Sequence, residues 1–439
     1  MKKGLIIFSL ATLCTTSQAQ EGWTLRQCID YAIEHNIEIQ QTANAAEQSA
    51  IESNTAKWAR LPNLNGSAGQ SWSWGRSASP VDNTYSDINS GSTQFGLSTN
   101  VPLFTGLQLP NQYALSKLNF KAAIEDLNKA KEDVAINVTS SYLQVLFNME
   151  LNKVAASQVE LSKEQCKRIT RLAEVGKASA AEVAEAKARV AQDEMSLVQA
   201  ENNYQLALLN LSQLLELSTP KGFSLAQPDT LVDFAPLTPP DDIYTEALSN
   251  KPGIRAAQLR LEGSEKSIRI AQSNYYPQLS FGANLGTNFY TLNGSAEHSF
   301  GSQLKNNLNK GIGFNLSIPL FNRLATRNRV RSARLQQTNL ALKLDNTKKV
   351  LYKEIQQAWY NAVAAESKFN SSTAAVAANE ESFRLMSEKF DNGKATFVEY
   401  NEAKQNLTKS LSDKIQAKYD YLFRTKILDF YKGVPLTLE

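Results

Sequence analysis

Laid against itself with an offset of 215 to 217 residues, the chain repeats its own punctuation in order. Leu61, Pro62, Asn63 and Leu64 fall on Tyr276, Pro277, Gln278 and Leu279, and Val101, Pro102, Leu103 and Phe104 fall on Ile318, Pro319, Leu320 and Phe321. Further on, Tyr142 meets Trp359, Gly176, Lys177 and Ala178 meet Gly393, Lys394 and Ala395, Glu182 and Glu185 meet Glu399 and Glu402, and Tyr204 and Leu211 meet Tyr421 and Leu428. Whatever one half builds, the other must build again. The boundaries read as a first copy over 20–217, an irregular proline-bearing segment over 218–239, a second copy over 240–432 and a tail over 433–439.

Residues 1–19 are set apart from both copies. Lys2 and Lys3 precede an apolar run from Gly4 to Leu13, and Ser17 and Ala19 supply the small residues of a cleavage site, the pattern of a secretory signal peptide. Cys14 would suit a lipoprotein cut only with small residues before it. Thr12 and Leu13 stand there, which favours an unacylated start. Beyond this leader no apolar stretch approaches the ~20 residues of a membrane helix. The formal charge of +3 falls to +1 without Lys2 and Lys3, far from the basic excess of a nucleic-acid binder. Cys28 and Cys166 lack metal or redox spacing and read as structural.

Within each copy the pattern predicts a helix, two strands, a very long helix, a sharp turn and a further helix. Residues 24–60 have helical composition without internal proline or glycine, and Pro62 ends the run. Four stretches then alternate strictly, at about 62–74, 93–104, 277–290 and 310–321. Their apolar sides carry Leu64, Trp72, Phe95, Leu97, Phe281, Leu285, Ile312 and Phe314. Their polar sides are almost wholly Asn, Ser, Gln and Gly. Alternation of this kind most often marks one face of a soluble sheet packed on a core. A face limited to small uncharged polar residues instead suits a wet lumen, and aromatic residues near strand ends suit a lipid interface. Four such strands cannot close a barrel, because membrane barrels start at about eight and an open edge in lipid leaves backbone groups unpaired. The chain is therefore expected to oligomerise.

Long helices are predicted over about 112–174 and 323–391. At 1.5 Å per residue each would span on the order of 95 to 105 Å, and propensity alone does not hold such a helix in water. Their partners are the helices that follow. Val183, Val190, Leu197, Tyr204 and Leu211 recur every seven residues, joined by Leu208 and Leu215, opposite Ala155, Val159, Cys166, Ile169 and Ala173 on the preceding helix. Gly176 and Gly393 supply helix C-termini, and Ser179 and Thr396 the following N-caps.

Catalytic chemistry is not legible. His35 and His298 lack an acid or cysteine neighbourhood that would make a nucleophilic triad or metal site, and no phosphate loop or Cys-x-x-Cys motif is present, so an enzyme is not expected. Two charge clusters stand out. Glu182 with Glu185 and Glu399 with Glu402 place carboxylate pairs on one helix face just beyond each turn. Such faces are usually only solvated, but around the mouth of an oligomeric tube they would gather cations. Arg323, Arg327, Arg329, Arg331 and Arg334 follow the last strand, where they either meet anionic headgroups or begin a solvated helix.

The proline-bearing strand entries, the strand exits at Val101–Gly106 and Ile318–Arg323, the tips Gly176–Ser179 and Gly393–Thr396 and the two-fold repeat together resemble TolC-like outer membrane efflux proteins over essentially the whole chain. The resemblance implies an α+β membrane protein. Three copies would close a 12-stranded outer-membrane β-barrel, four strands per chain, continuous with an α-helical coiled-coil periplasmic tunnel. It implies a passive exit duct of a tripartite efflux pump or type I secretion system in a Gram-negative type envelope. Its expected partners are outer-membrane lipid, a periplasmic adaptor (a membrane fusion protein) and an inner-membrane pump of RND or ABC type. By the same resemblance Glu399 and Glu402, with Glu182 and Glu185, form the acidic periplasmic entrance ring, and the tips at Gly176, Lys177, Gly393 and Lys394 dock the adaptor. Residues 218–239 would join a belt at mid-tunnel. One departure stands out. The family's polar latch uses a tyrosine three before, and an arginine two after, the second tip glycine, where this chain has Phe390 and Ala395. Closure is then expected to rest on apolar tip packing and the carboxylates. The competing reading is a non-conducting envelope coiled-coil scaffold, which leaves the lumen-patterned strands without a use.

Overall fold

The computed structural model describes residues 22–78, 84–87, 89–219, 222–226, 236–292 and 298–438. The signal-peptide reading, Cys14 and parts of the 218–239 segment lie outside the described residues. Compact units do not coincide with the sequence copies, because each draws on both copies. One unit gathers the chain up to Gln41, Asn128–Lys251 and Lys349 onward, and the other gathers Thr42–Leu127 and Pro252–Lys348.

The first copy runs α1 (Leu25–His35), α2 (Ile37–Trp58), β1 (Asn65–Ser73), a small hairpin of β2 (Arg76–Ala78) and β3 (Tyr85–Asp87), β4 (Ser90–Phe104), α3 (Gln108–Glu174) and α4 (Ala180–Leu214). The second runs α5 (Pro240–Asn250), α6 (Pro252–Ser273), β5 (Gln278–Leu292), α7 (Phe300–Asn306), β6 (Asn309–Ser317), α8 (Ala325–Asp391) and α9 (Phe397–Lys432). The single helix expected over 24–60 is two helices. Asn36 leaves the helical region at ψ 130, and its side-chain oxygen accepts from the amides of Glu38 at 3.0 Å and Ile39 at 3.3 Å. An asparagine that caps its own downstream turn competes with continuous helix. The second copy breaks 215 residues later, at Lys251 before Pro252.

The sheet unit holds four antiparallel strands in the order β1-β4-β5-β6. Each copy supplies one pair, and β4 with β5 joins the copies in a register that sets Leu97 beside Leu285 and Asn284 beside Ser98. With Ala68 beside Phe95 and Phe281 beside Phe314, one face is mainly apolar, interrupted by threonines, Gln70 and Lys310, and the other is mainly Ser, Asn, Gln and Gly, with Pro102, Tyr290 and Leu292 toward its ends. The same proline behaves differently in the two copies. β4 continues through Pro102 to Phe104 with a register shift after the proline, whereas β6 stops at Ser317, short of Pro319 and of the expected end at 321. Past Ser98, β4 has lost its β1 ladder, so Pro102 removes no amide from that pairing. Between β5 and β6, part of the expected loop is the helix α7. Buried Gln303 accepts from the Tyr290 amide and donates to the Tyr290 carbonyl, each at 3.0 Å, which seats that helix on the sheet end.

The other unit has its core in α3, α4, α8 and α9, with Val138, Val145, Leu211, Leu215, Ile355 and Ala362 fully buried. The heptad stripe of α4 is half-buried at Val183, Val190, Leu197 and Tyr204 and fully buried at Leu208, Leu211 and Leu215. Tyr142 stands at its centre. Its hydroxyl lies 3.1 Å from the Trp23 carbonyl and 3.0 Å from that of Ala226, tying the segment before α1 to the segment after α4. Cys28 and Cys166 are both free thiols, and burial pushes the Cys28 thiol up to about 12, so it stays protonated and inert.

Candidate functional site

The two turns between long helices share one construction. Gly176 (φ 72°) and Gly393 (φ 69°) take the left-handed conformation that glycine adopts without a Cβ clash. Each helix end is closed by a pair of backbone bonds. Lys177 donates to the Leu172 carbonyl and Lys394 to that of Lys389, both at 2.8 Å, while Gly176 donates to Ala173 and Gly393 to Phe390, both at 3.0 Å. Ser179 and Thr396 then cap the next helices in full capping boxes. Lys177 and Lys394 are exposed at the apices.

This construction divides the four acidic candidates. Glu182 accepts from the Ser179 amide at 2.6 Å and Glu399 from the Thr396 amide at 2.7 Å. Those backbone hydrogen bonds, helped by the Ser179 and Thr396 hydroxyls, hold both carboxyls below the usual range. Glu182 and Glu399 thus have a local duty as helix caps, a signal already visible as the Ser/Thr-x-x-Glu spacing. Glu185 and Glu402 are exposed, and neither makes a side-chain hydrogen bond or ion pair among the described residues.

Both turns of one chain meet in a shared apolar cluster. Ile169, Ala186, Phe397 and Tyr400 are buried there, with Cys166, Ala178, Val183, Phe383 and Phe390 packed around them. Phe390, at the position expected to replace a polar latch, lies 5.1 Å from the Tyr400 ring and 6.1 Å from the Phe397 ring. The Arg168 guanidinium sits 5.8 Å from the Phe390 centroid and pairs with Asp391. Arg168 and Asp391 belong to different copies, so no spacing within one copy announces them.

Further from the turns is a second interaction that sequence reading missed. Lys404 is 3% exposed, donates to Asp193 at 3.0 Å, and reaches the Ser162 hydroxyl and, at 3.3 Å, the Gln158 carbonyl. Arg189 approaches the other Asp193 oxygen at 3.4 Å. Burial lowers the Lys404 pKa, and the Asp193 hydrogen bond opposes that shift. Phe397, Tyr400 and Lys404 fall at spacings of three and four on α9, so the lysine occupies a seam position. A polar residue in an otherwise apolar seam sets register. Among the described residues no cluster of His, Cys, Asp and Glu could hold a metal, and no helix is long and apolar enough to cross a membrane.

Comparison with known proteins places this arrangement. A family model described as outer membrane efflux protein matches twice, over residues 28–216 and 243–431. The chain is 23% identical over 430 residues to outer membrane protein TolC of Escherichia coli strain K12, covering 96% of this chain and 84% of that protein. It is 27% identical over 278 residues to the pyoverdine export outer membrane protein OpmQ of Pseudomonas aeruginosa, covering 60% and 54%. Its fold is similar to that of the Campylobacter jejuni CmeC outer membrane channel, with a TM-score of 0.81 at 20% identity over 94% of this chain and 86% of that one. The Neisseria gonorrhoeae MtrE outer membrane channel gives 0.76 at 16% identity, covering 95% and 90%. The double family match returns the internal repeat with its offset of 215 residues, and the chain belongs to the outer membrane efflux protein family, a family of the outer membrane.

Proposed function

We propose that this chain is one subunit of a passive exit duct in which three copies close a 12-stranded outer-membrane barrel leading into an α-helical periplasmic tunnel. The observation that carries the reading is the sheet. Its register gives every strand a mainly apolar face and a face mainly of small polar residues, and β1 and β6 are left as unpaired edges within the chain. An edge in hydrocarbon costs several kcal/mol per unpaired backbone group, so β6 of one copy pairs with β1 of the next. Exposed aromatic residues mark both ends of the strands, with Trp72, Trp74 and Tyr85 at the loop end and Tyr275, Tyr276 and Phe321 at the helix end.

The duct takes cargo from an inner-membrane transporter of RND or ABC type through an adaptor, as part of an efflux pump or a type I secretion system. The turns at Gly176, Lys177, Gly393 and Lys394 receive that adaptor. Relatives named for pyoverdine export, for toxin and drug export, and for cobalt, zinc and cadmium resistance share this family's sequence, which supports placing cargo choice in the transporter. Glu402 and Glu185 supply the free charge of the entrance ring, Glu399 and Glu182 add charge while capping, and Phe390 packing holds the turns closed.

Single-channel conductance in a planar bilayer tests the reading. The wild type is expected to open as a cation-selective pore, and Glu402→Gln, which leaves the capping box intact, to reduce that selectivity. Inserted protein that never conducts would sink the duct and favour the scaffold.

A further inference from the structure

We infer that the arginine series at the start of α8 binds the phosphate groups of anionic phospholipids in the leaflet on the helix side of the barrel. This rests on the barrel reading above. Arg323, Arg327, Arg331 and Arg334 follow one another at spacings of four, four and three, and Arg329 adds a fifth guanidinium on the opposite flank. All five are exposed, and none has an ion-pair partner among the described residues. No Asp or Glu occurs between Glu297 and Asp345, so the sequence offers no local neutralisation.

Three features make this arrangement costly without an external anion. Like charges at i,i+4 repel along a helix. Cations in the first turns oppose the helix macrodipole, which favours acids there. Arg323 itself holds a left-handed backbone, φ 54°, at the position where the first copy has Gly106 at φ 60°. The first copy has the same junction with one cation at the five matched positions. Gly106, Pro110, Gln112, Ala114 and Lys117 stand where the second copy has its five arginines. The fold does not require the cluster.

What stands beside the cluster identifies the occupant. Ile318, Leu320 and Phe321 lie directly between the last strand and the arginines and Leu324 between the first two of them, and Leu320 is 92% and Phe321 79% exposed. Exposed apolar side chains leading into exposed arginines fit the boundary between hydrocarbon and headgroups, where arginine keeps its charge at the phosphate level. A soluble acidic partner would not account for the apolar half of that surface.

The test uses the full oligomer in detergent, titrated with phosphatidylglycerol or phosphatidylcholine and read by native mass spectrometry. The wild type is expected to retain phosphatidylglycerol in preference. The variant Arg327→Gln/Arg331→Gln/Arg334→Gln is expected to bind it on the order of 100-fold more weakly, from roughly fivefold per basic residue near an anionic surface. Lys117→Gln/Lys121→Gln, which removes exposed charge from the matched helix of the first copy, is expected to bind as the wild type does. Equal binding of both lipids by the wild type, or unchanged binding in the triple variant, overturns the inference, as does displacement of the lipid by inorganic phosphate at equal concentration. So does loss of the oligomer in the triple variant with lipid preference intact, which would assign the arginines to a neighbouring subunit. Conductance of the same samples separates the two ideas, since a conducting wild type without lipid preference leaves the duct standing and removes only this site.

Discussion

The two copies reach the same backbone by different chemistry at the break in their first helix. In the first copy the break is made by one side chain, Asn36, whose oxygen caps α2 and whose amide reaches the Leu214 carbonyl at the end of α4. In the second it is made by Pro252, and the preceding residue, Lys251, donates to the Phe430 carbonyl near the end of α9 at 3.0 Å and to Glu132 at 3.2 Å. Both break residues therefore donate to a carbonyl in the last turn of a helix; that of Leu214 has no backbone donor among the described residues, whereas that of Phe430 also accepts from the Gly433 amide. Lys251 adds a positive charge where the macrodipole favours one. Its ammonium also lies 3.2 Å from the Phe430 ring centroid. Geometry is what the copies share, and the residues that enforce it are free to differ.

The sharpest break in the equivalence is predicted at Asp193. Its counterpart in the second copy is Ser410, and the counterpart of buried Lys404 is exposed Lys187. Asp193→Ala strands the Lys404 ammonium in the core and should cost about 3 to 5 kcal/mol in denaturant unfolding of the detergent-solubilised protein. Lys187→Ala should stay within about 0.5 kcal/mol. Comparable losses in the two variants would mean that the seam is symmetric after all.

The turns should instead behave alike. A Cβ at Gly176 or Gly393 meets no atom within 4 Å, so Gly→Ala at either position carries only the left-handed backbone cost of about 1 to 2 kcal/mol. Hydrogen exchange at each turn measures this, and a large difference between the two would show that their surroundings are not equivalent. A smaller effect is expected at the helix break. Asn36→Ala removes a side-chain cap worth about 1 kcal/mol, whereas Pro252→Ala should cost less because the Lys251 contacts remain. Equal losses there would place the break in tertiary packing alone.

Acid should loosen both turns together. Glu182 and Glu399 have folded pKa values below their unfolded ones, so their caps contribute fully above the unfolded carboxylate value near ~4.3 and are lost as pH falls through the folded values. Exchange at the Ser179 and Thr396 amides should therefore accelerate in parallel below that range, and Glu182→Gln should remove the pH step only at its own turn. A step that persists in that variant would assign the titration to another group.

Periodicity and punctuation were enough to read much of this molecule. Alternation placed the four strands and sorted their faces, and the heptad stripe on α4 named the side that packs. Glycine followed three residues later by serine or threonine located both turns and their caps. Such signals are local, because a strand face, a helix stripe or a capping box is decided by residues within a few positions of one another. The break at Asn36 was hidden because asparagine is tolerated in helices, and only the Leu214 carbonyl nearby gives its amide a partner. The local role of Glu182 and Glu399 was legible in the same Ser/Thr-x-x-Glu spacing. The Arg168–Asp391 pair, the Lys404–Asp193 network and the seam between β4 and β5 join residues from opposite copies. A repeat in sequence says that two units are alike. It says nothing of how one meets the other, since those contacts depend on distances in space between positions about two hundred residues apart, and the tertiary structure alone decided them.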